Sequence, residues 1–191
     1  MKPQKSFLSN ERNKQNFIDL LAGSLQSNGY TVVQSEDDAD IDIVSTVINI
    51  ASEGKNVTLV GADTDLLILL LYMWNESMGH IIMKCEGTRK HPEVTRNIRE
   101  LAKCVPDLCS YLTFIHAFGG CDTTSATFGV GKMAIMKQVE KKKIARQVAS
   151  VFLSPESTQE NIGEQGAKLF VMLYGGKTTD TLNELRDTRN I

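Results

Sequence analysis

Five aspartates at three separated places each abut an apolar segment. Asp38 and Asp40 lie in Ser35-Glu36-Asp37-Asp38-Ala39-Asp40, Asp63 and Asp65 in Leu59-Val60-Gly61-Ala62-Asp63-Thr64-Asp65, and Asp122 in Phe118-Gly119-Gly120-Cys121-Asp122-Thr123-Thr124. That placement puts each carboxylate at the end of a core element. Ionised carboxylates brought together repel one another and are costly to desolvate. A fold that gathers them needs a compensating cation, and a hard, oxygen-rich site suits Mg²⁺ or Mn²⁺.

The intervening pattern alternates. Phe17, Leu20, Leu21 and Leu25 at helical spacing predict a helix over 16–27, closed by Asn28-Gly29. Tyr30-Thr31-Val32-Val33 reads as a strand. A helix carrying Ile43, Val44, Val47, Ile48 and Ala51 follows, then a strand over 56–61 that is apolar on successive positions, as in a parallel sheet buried on both faces. Leu66 to Trp74 reads as a helix and His80 to Lys84 as a third strand. Pro92 suits the first position of a helix running from Glu93 to Cys104. Leu108 to Phe118 is helical up to Gly119-Gly120. Beyond Gly131 only helices are expected: 132–143, 144–153 and 164–174, with Ser154-Pro155 as a break. The expectation is an α/β core with a parallel sheet over 1–125 and a helical extension over 126–191. Ligands of open α/β sheets bind at the carboxyl ends of strands. Those are the places where Tyr30–Val33 would deliver Asp38 and Asp40, and 57–60 would deliver Asp63 and Asp65. Taken singly, the first pair is equally a helix cap and the second a turn.

Hydrophobic residues make up 41 % of the 191, enough for a core. The longest apolar run, 66–73, is too short to span a bilayer, so no membrane partner is expected. No apolar stretch adjoins the basic N-terminus, so no signal peptide is expected. With 21 basic and 23 acidic residues the net charge is -2, and any nucleic-acid surface must be a local patch. Cys85, Cys104, Cys109 and Cys121 lack paired spacing, which reads as four reduced thiols in an intracellular protein of the nucleus or cytoplasm. Oligomeric state is not legible.

The ordered trio, Ser-Glu-Asp-Asp-Ala-Asp, then Val-Gly-Ala-Asp-Thr-Asp, then Gly-Gly-Cys-Asp-Thr-Thr with Phe-Gly-Val-Gly-Lys after it, resembles the motif order of the flap-endonuclease branch of the PIN-like 5′ nucleases. The likeness covers roughly residues 30–140. His116 to Ser125 is also similar to a His-Ala-x-x-Gly-Cys-Asp-Thr-Thr-Ser segment found in a set of animal proteins. The resemblance implies a PIN-like core and a metal-dependent nuclease hydrolysing phosphodiesters of DNA or RNA at a two-metal carboxylate site. Asp38, Asp40 and Asp63 would be direct or bridging ligands of Mg²⁺ or Mn²⁺, and Asp65 and Asp122 would hold the second ion or its waters. It also implies a helix-two-turn-helix-like hairpin at Gly129-Val130-Gly131-Lys132 that grips nucleic acid, with K⁺ bound there. The family carries a further Asp on its first strand, and none precedes Asp38 after an apolar run. The chain is therefore expected to lack that strand, or to be an inactive nuclease-fold module that binds nucleic acid or protein partners.

Independently of the resemblance, Gly129, Gly131 and Lys132 open a helix, where backbone N–H groups and the helix dipole favour an anion. A bare interhelical turn is the alternative. A nucleotide P-loop is excluded, because Ala126 stands where its first Gly belongs and Met133 replaces the Ser/Thr. Lys137, Lys141, Lys142, Lys143 and Arg146 continue as either a phosphate-tracking surface or a solvated face. Asp42 reads as a solvated or capping residue, and His116, on an apolar helix, as a hydrogen-bonded structural histidine. Asp63-Thr64-Asp65 is also similar to the nucleophile motif of haloacid-dehalogenase-type phosphatases. However, Leu66 stands where that family has Thr or Val, and its downstream acidic set is missing.

Overall fold

The computed structural model describes residues 7–36, 38–87, 92–121, 124–176 and 180–184. The chain forms two compact units that divide between Ala39 and Asp40. In the first, helix α1 spans Glu11–Ser27, starting earlier than the apolar spacing alone indicates because the Asn10 side chain caps it by accepting from the Asn13 N–H. None of its residues is buried, and Phe17, Leu20 and Leu21 are exposed. The strand expected at Tyr30–Val33 is absent: the segment has no regular structure, and Tyr30 and Val33 are 64 % and 72 % exposed. β-branched residues favour a strand only where a neighbouring strand and a packed face receive them.

The second unit begins at Asp40, the second residue of helix α2 (Ala39–Ser52), which buries Val44, Val47, Ile48 and Ala51 along one stripe. Strand β1 (Val57–Val60) follows, then helix α3 (Thr64–Met73), strand β2 (Ile81–Cys85), strand β3 (Val94–Asn97) and helix α4 (Ile98–Cys104). The sheet order is β1-β2-β3. β1 and β2 pair in parallel, with Val57 opposite Ile81 and Val60 opposite Lys84, and α3 makes the crossover. β3 corrects the expected continuous helix over 93–104. Val94 to Asn97 pair antiparallel with β2, Cys85 opposite Val94, and only then does Asn97 cap α4 by accepting from the Glu100 N–H. The sheet is therefore mixed rather than all-parallel, and the described residues are mostly helical. Leu70, Ile81, Met83 and Ile98 are fully enclosed between sheet and helices. Each such side chain contributes on the order of 1.5–3 kcal/mol by leaving water.

A short 3₁₀ turn, Cys109–Tyr111, leads into helix α5 (Leu112–Phe118), followed by α6 (Lys132–Lys141), α7 (Lys143–Leu153) and α8 (Gln159–Leu173). These helices share a second core around Phe114, Ile135, Val139, Val148 and Leu169. The expected division after residue 125 falls inside this unit, where α5 packs on α6. α8 starts five residues before the expected Glu164 because Thr158 caps it. Arg146 is committed to structure: its Nε donates to the Val139 carbonyl and its Nη2 to that of Glu140, closing the last turn of α6. Among the described residues no helix is long and apolar enough to cross a membrane.

Candidate metal and phosphate site

At the carboxyl end of β1 the chain runs through Gly61 and Ala62 into α3. Asp63 is the N-cap of α3, with extended backbone, and its Oδ1 accepts from the Asp65 N–H at 3.0 Å. Asp65 lies in the first helical turn, where the helix dipole favours a carboxylate. Local helix chemistry therefore holds both acids at one mouth, and the second oxygen of each remains outside these contacts.

α5 brings His116 to the same place. The imidazole is buried, with 9 % of the residue exposed. Its Nε2 lies 2.9 Å from Oδ1 of Asp65, whose side chain is 33 % exposed. The approach is off the N–H direction, so Nε2 gains a close polar contact with the carboxylate but no aligned hydrogen bond. Nδ1 lies 3.0 Å from Nζ of Lys132, the first residue of α6. An ammonium only donates, so Nδ1 accepts, and a neutral ring carries its proton on Nε2, on the Asp65 side. Asp65, His116 and Lys132 thus form one polar chain across three helices.

The paired glycines make this chain possible. A Cβ at Gly119 would stand 2.6 Å from Cγ of Lys132 and 2.9 Å from the Ile115 carbonyl oxygen, so only Gly lets the lysine stem pass. Gly120 has φ +91°, and a Cβ there would meet Cα of Ala126 at 2.5 Å. Cys121 and Thr124 then exchange backbone hydrogen bonds of 3.2 Å each, and the Thr124 hydroxyl donates to the Ala117 carbonyl at 2.6 Å. The result is an open pocket of about 460 Å³ lined by Asp63, Thr64, Asp65, His116, Gly120, Cys121, Thr124, Ala126 and Lys132.

Of the five aspartates singled out by sequence, Asp63 and Asp65 line this pocket. Asp40 stands in the first turn of α2 and does not line it. Asp38 belongs to the first unit. Asp122 lies outside the described residues; its described neighbours Cys121 and Thr124 line the pocket. Of the turn residues, Gly129 has φ +68°, Gly131 is the N-cap of α6, Lys132 directs its ammonium into the pocket, and Lys137 is exposed on α6. His116 is the residue whose part sequence reasoning understated. It is hydrogen-bonded and buried as expected, yet it joins the acidic turn to the glycine turn. The available signal was its place on an otherwise apolar helix, four residues before Gly120 and sixteen before Lys132.

Among the described residues no three His, Cys, Asp or Glu side chains converge closely enough to hold a metal ion. Among the described residues two carboxylates share the pocket with one ammonium. That donor set fits one hydrated Mg²⁺ or Mn²⁺, which is ordinarily bound by one or two carboxylates with water and substrate phosphate completing the shell. A second ion would need donors beyond these two. No protein-family model, curated protein or solved structure matches the chain.

Proposed function

We propose that the unit from Asp40 onward carries a divalent-metal-dependent phosphodiester site of the PIN-like 5′ nuclease type, acting on DNA or RNA. One observation carries the reading: a carboxylate pair and an ammonium face the same 460 Å³ pocket at the end of a parallel strand. Carboxylates attract a hard cation, an ammonium attracts a phosphate oxygen, and a metal-bound phosphate satisfies both at once. The outer oxygens of Asp63 and Asp65 would hold Mg²⁺ or Mn²⁺. When bound, the ion supplies an activated water and polarises the phosphoryl oxygen. Lys132 offsets the negative charge of the phosphate, and His116 fixes the distance between Lys132 and Asp65. Gly119 and Gly120 keep that geometry free of obstruction.

The test is cleavage of single-stranded and flapped DNA and RNA by the purified chain with Mn²⁺. Activity abolished by EDTA and by Asp63→Ala is expected; activity that survives either removes the mechanism. A second reading, a non-catalytic module on the same fold, is favoured by a different observation: Asp65 already has a protein partner in His116, whose other ring nitrogen meets Lys132. Titration calorimetry separates the two, because the catalytic reading requires Mn²⁺ binding that is lost in Asp63→Ala.

A further inference from the structure

Strand β1 is an edge of the sheet, and its outer side is open. The N–H groups of Val57 and Gly61 donate to the carbonyls of His80 and Lys84 at 2.8 and 3.0 Å, toward β2. Successive residues of a strand address its two sides alternately, so Thr58 and Val60 turn their N–H and C=O groups away from β2. Among the described residues no strand pairs with that side. Thr58 is exposed, and Val60 is 57 % exposed. Such an edge is a template for another strand unless a charge, a proline or a bulge blunts it. β3, the opposite edge, is blunted: Pro92 and Glu93 precede it and Arg96 lies within it. β1 has none of these devices. From Asn56 to Ala62 the chain carries neither a charge nor a proline.

The flanks of this stretch select what pairs with it. Lys55 bounds it at one end and Asp63 at the other. A second β1 laid parallel brings like charges together. Laid antiparallel about Leu59, it sets Lys55 of each copy opposite Asp63 of the other. The same register sets Thr58 against Val60 of the second copy. Those are the residues whose backbone groups face outward, so each such pair exchanges both hydrogen bonds. Their β-branched side chains then meet on the exposed face. A shift of register by two residues keeps the hydrogen bonds and loses both charge contacts. Lys55 is free to re-pair, because its contact with Glu53 joins side chains that are 66 % and 62 % exposed, a surface pair of little strength. We propose that the chain associates with a second copy of itself through β1, as an antiparallel dimer with one continuous sheet. The same patch serves both copies, so the assembly closes at two. Lys55 of each copy then stands beside Asp63 at the acidic mouth of the other. The proposal does not depend on the phosphodiester reading.

The experiment combines sedimentation velocity with residue-level amide hydrogen exchange on the full chain, over an about hundredfold dilution series, since association follows mass action. The mass is expected to double with concentration. The Thr58 and Val60 amides should exchange fast when dilute and slowly when concentrated, while Leu59, bonded to β2, stays protected throughout. Thr58→Pro deletes an outward donor and leaves the β1–β2 ladder intact, so it should weaken the dimer at least about tenfold. Val60→Lys, a charge on the edge, is the second variant should Thr58→Pro not fold. Lys55→Glu turns both charge contacts repulsive and should weaken the dimer by about tenfold; an unchanged dimer overturns the antiparallel register. A monomer at every concentration overturns the proposal. So do Thr58 and Val60 amides that are protected in the dilute monomer, which would mean that the same chain covers the edge. A dimer that survives Thr58→Pro and is lost on Leu20→Gln runs through the apolar face of α1 and overturns it as well.

Discussion

Lys132→Met and Asp65→Asn, made singly and together, measure whether His116 couples the two halves of the pocket. His116 is 9 % exposed, so its ring nitrogens depend on protein partners: Lys132 at 3.0 Å and Asp65 at 2.9 Å. Removing the lysine leaves a buried acceptor without its donor, which costs about 1–3 kcal/mol in a closed site. The pocket is open and the Asp65 side chain is one-third exposed, so water recovers part of this; about 1 kcal/mol is expected for Lys132→Met. Asp65→Asn loses the carboxylate's polar contact with Nε2 and about 0.3–1 kcal/mol of helix-dipole interaction at α3. The dipole contribution is the same with or without Lys132 and cancels in the double-mutant cycle. What remains is the coupling through the ring, expected at about 0.5–1 kcal/mol for residues sharing one polar chain. Urea unfolding followed by far-UV circular dichroism reads it, and each kcal/mol moves Tm by about 2–4 °C for a chain of this size. Additivity within about 0.3 kcal/mol would show that His116 transmits nothing between the acidic turn and the glycine turn.

Three further outcomes follow from the same geometry. Asp63→Ser keeps a capping oxygen and should unfold within about 0.5 kcal/mol of the native chain, whereas Asp63→Ala should cost about 0.5–2 kcal/mol; both should lose Mn²⁺ affinity in calorimetry, and retention by the serine variant would remove Asp63 from the ion site. Gly119→Ala pushes a methyl against the Lys132 stem and the Ile115 carbonyl and should destabilise by about 1–3 kcal/mol, while Gly163→Ala, in α8 with open space around it, should stabilise by about 0.5–1 kcal/mol; equal effects in thermal melts would contradict the close approach at Gly119. Burial pushes the Cys109 thiol above its ordinary pKa; because the folded pKa is the higher one, the stability it contributes is complete below the unfolded thiol pKa and is lost as pH rises through the folded value. Alkylation followed by mass spectrometry at mildly alkaline pH should accordingly modify the exposed Cys104 first and Cys109 later, and the reverse order would refute the burial argument.

The elements legible in the sequence are those whose apolar pattern is local. β1, β2, α2 and α3 announce themselves through Val57–Val60, Ile81–Met83, the stripe from Val44 to Ala51, and Leu66–Leu71, and each is found there. β3 was not legible, because Val94-Thr95-Arg96-Asn97 is short and half polar and becomes a strand only through pairing with β2. Tyr30–Val33 failed in the opposite sense. Its residues favour a strand, and propensity without a neighbouring strand does not make one. The same division holds at the site. Asp63 and Asp65 were readable because one turn holds both, at the end of an obvious strand. The link from Asp65 to Lys132 was not, because it passes through a histidine on a different helix. The glycine at 119 that makes room for it looks in sequence like a helix stop and nothing more.

That hidden link changes what the acidic turn needs. Carboxylates gathered at the end of a strand repel one another, and the sequence alone suggests that an ion compensates them. In the folded chain the ammonium of Lys132, reaching past Gly119 and bridged by His116, supplies part of the compensation from the protein itself. Among the described lining residues two carboxylates stand against one ammonium, and on the proposed reading that excess of negative charge would favour a divalent cation. If such a cation bound, the local charge would change sign and Lys132 would be in place to meet an anion. On the proposed reading, an ion entering before a phosphate would be the order in which neither ligand meets an unfavourable local charge.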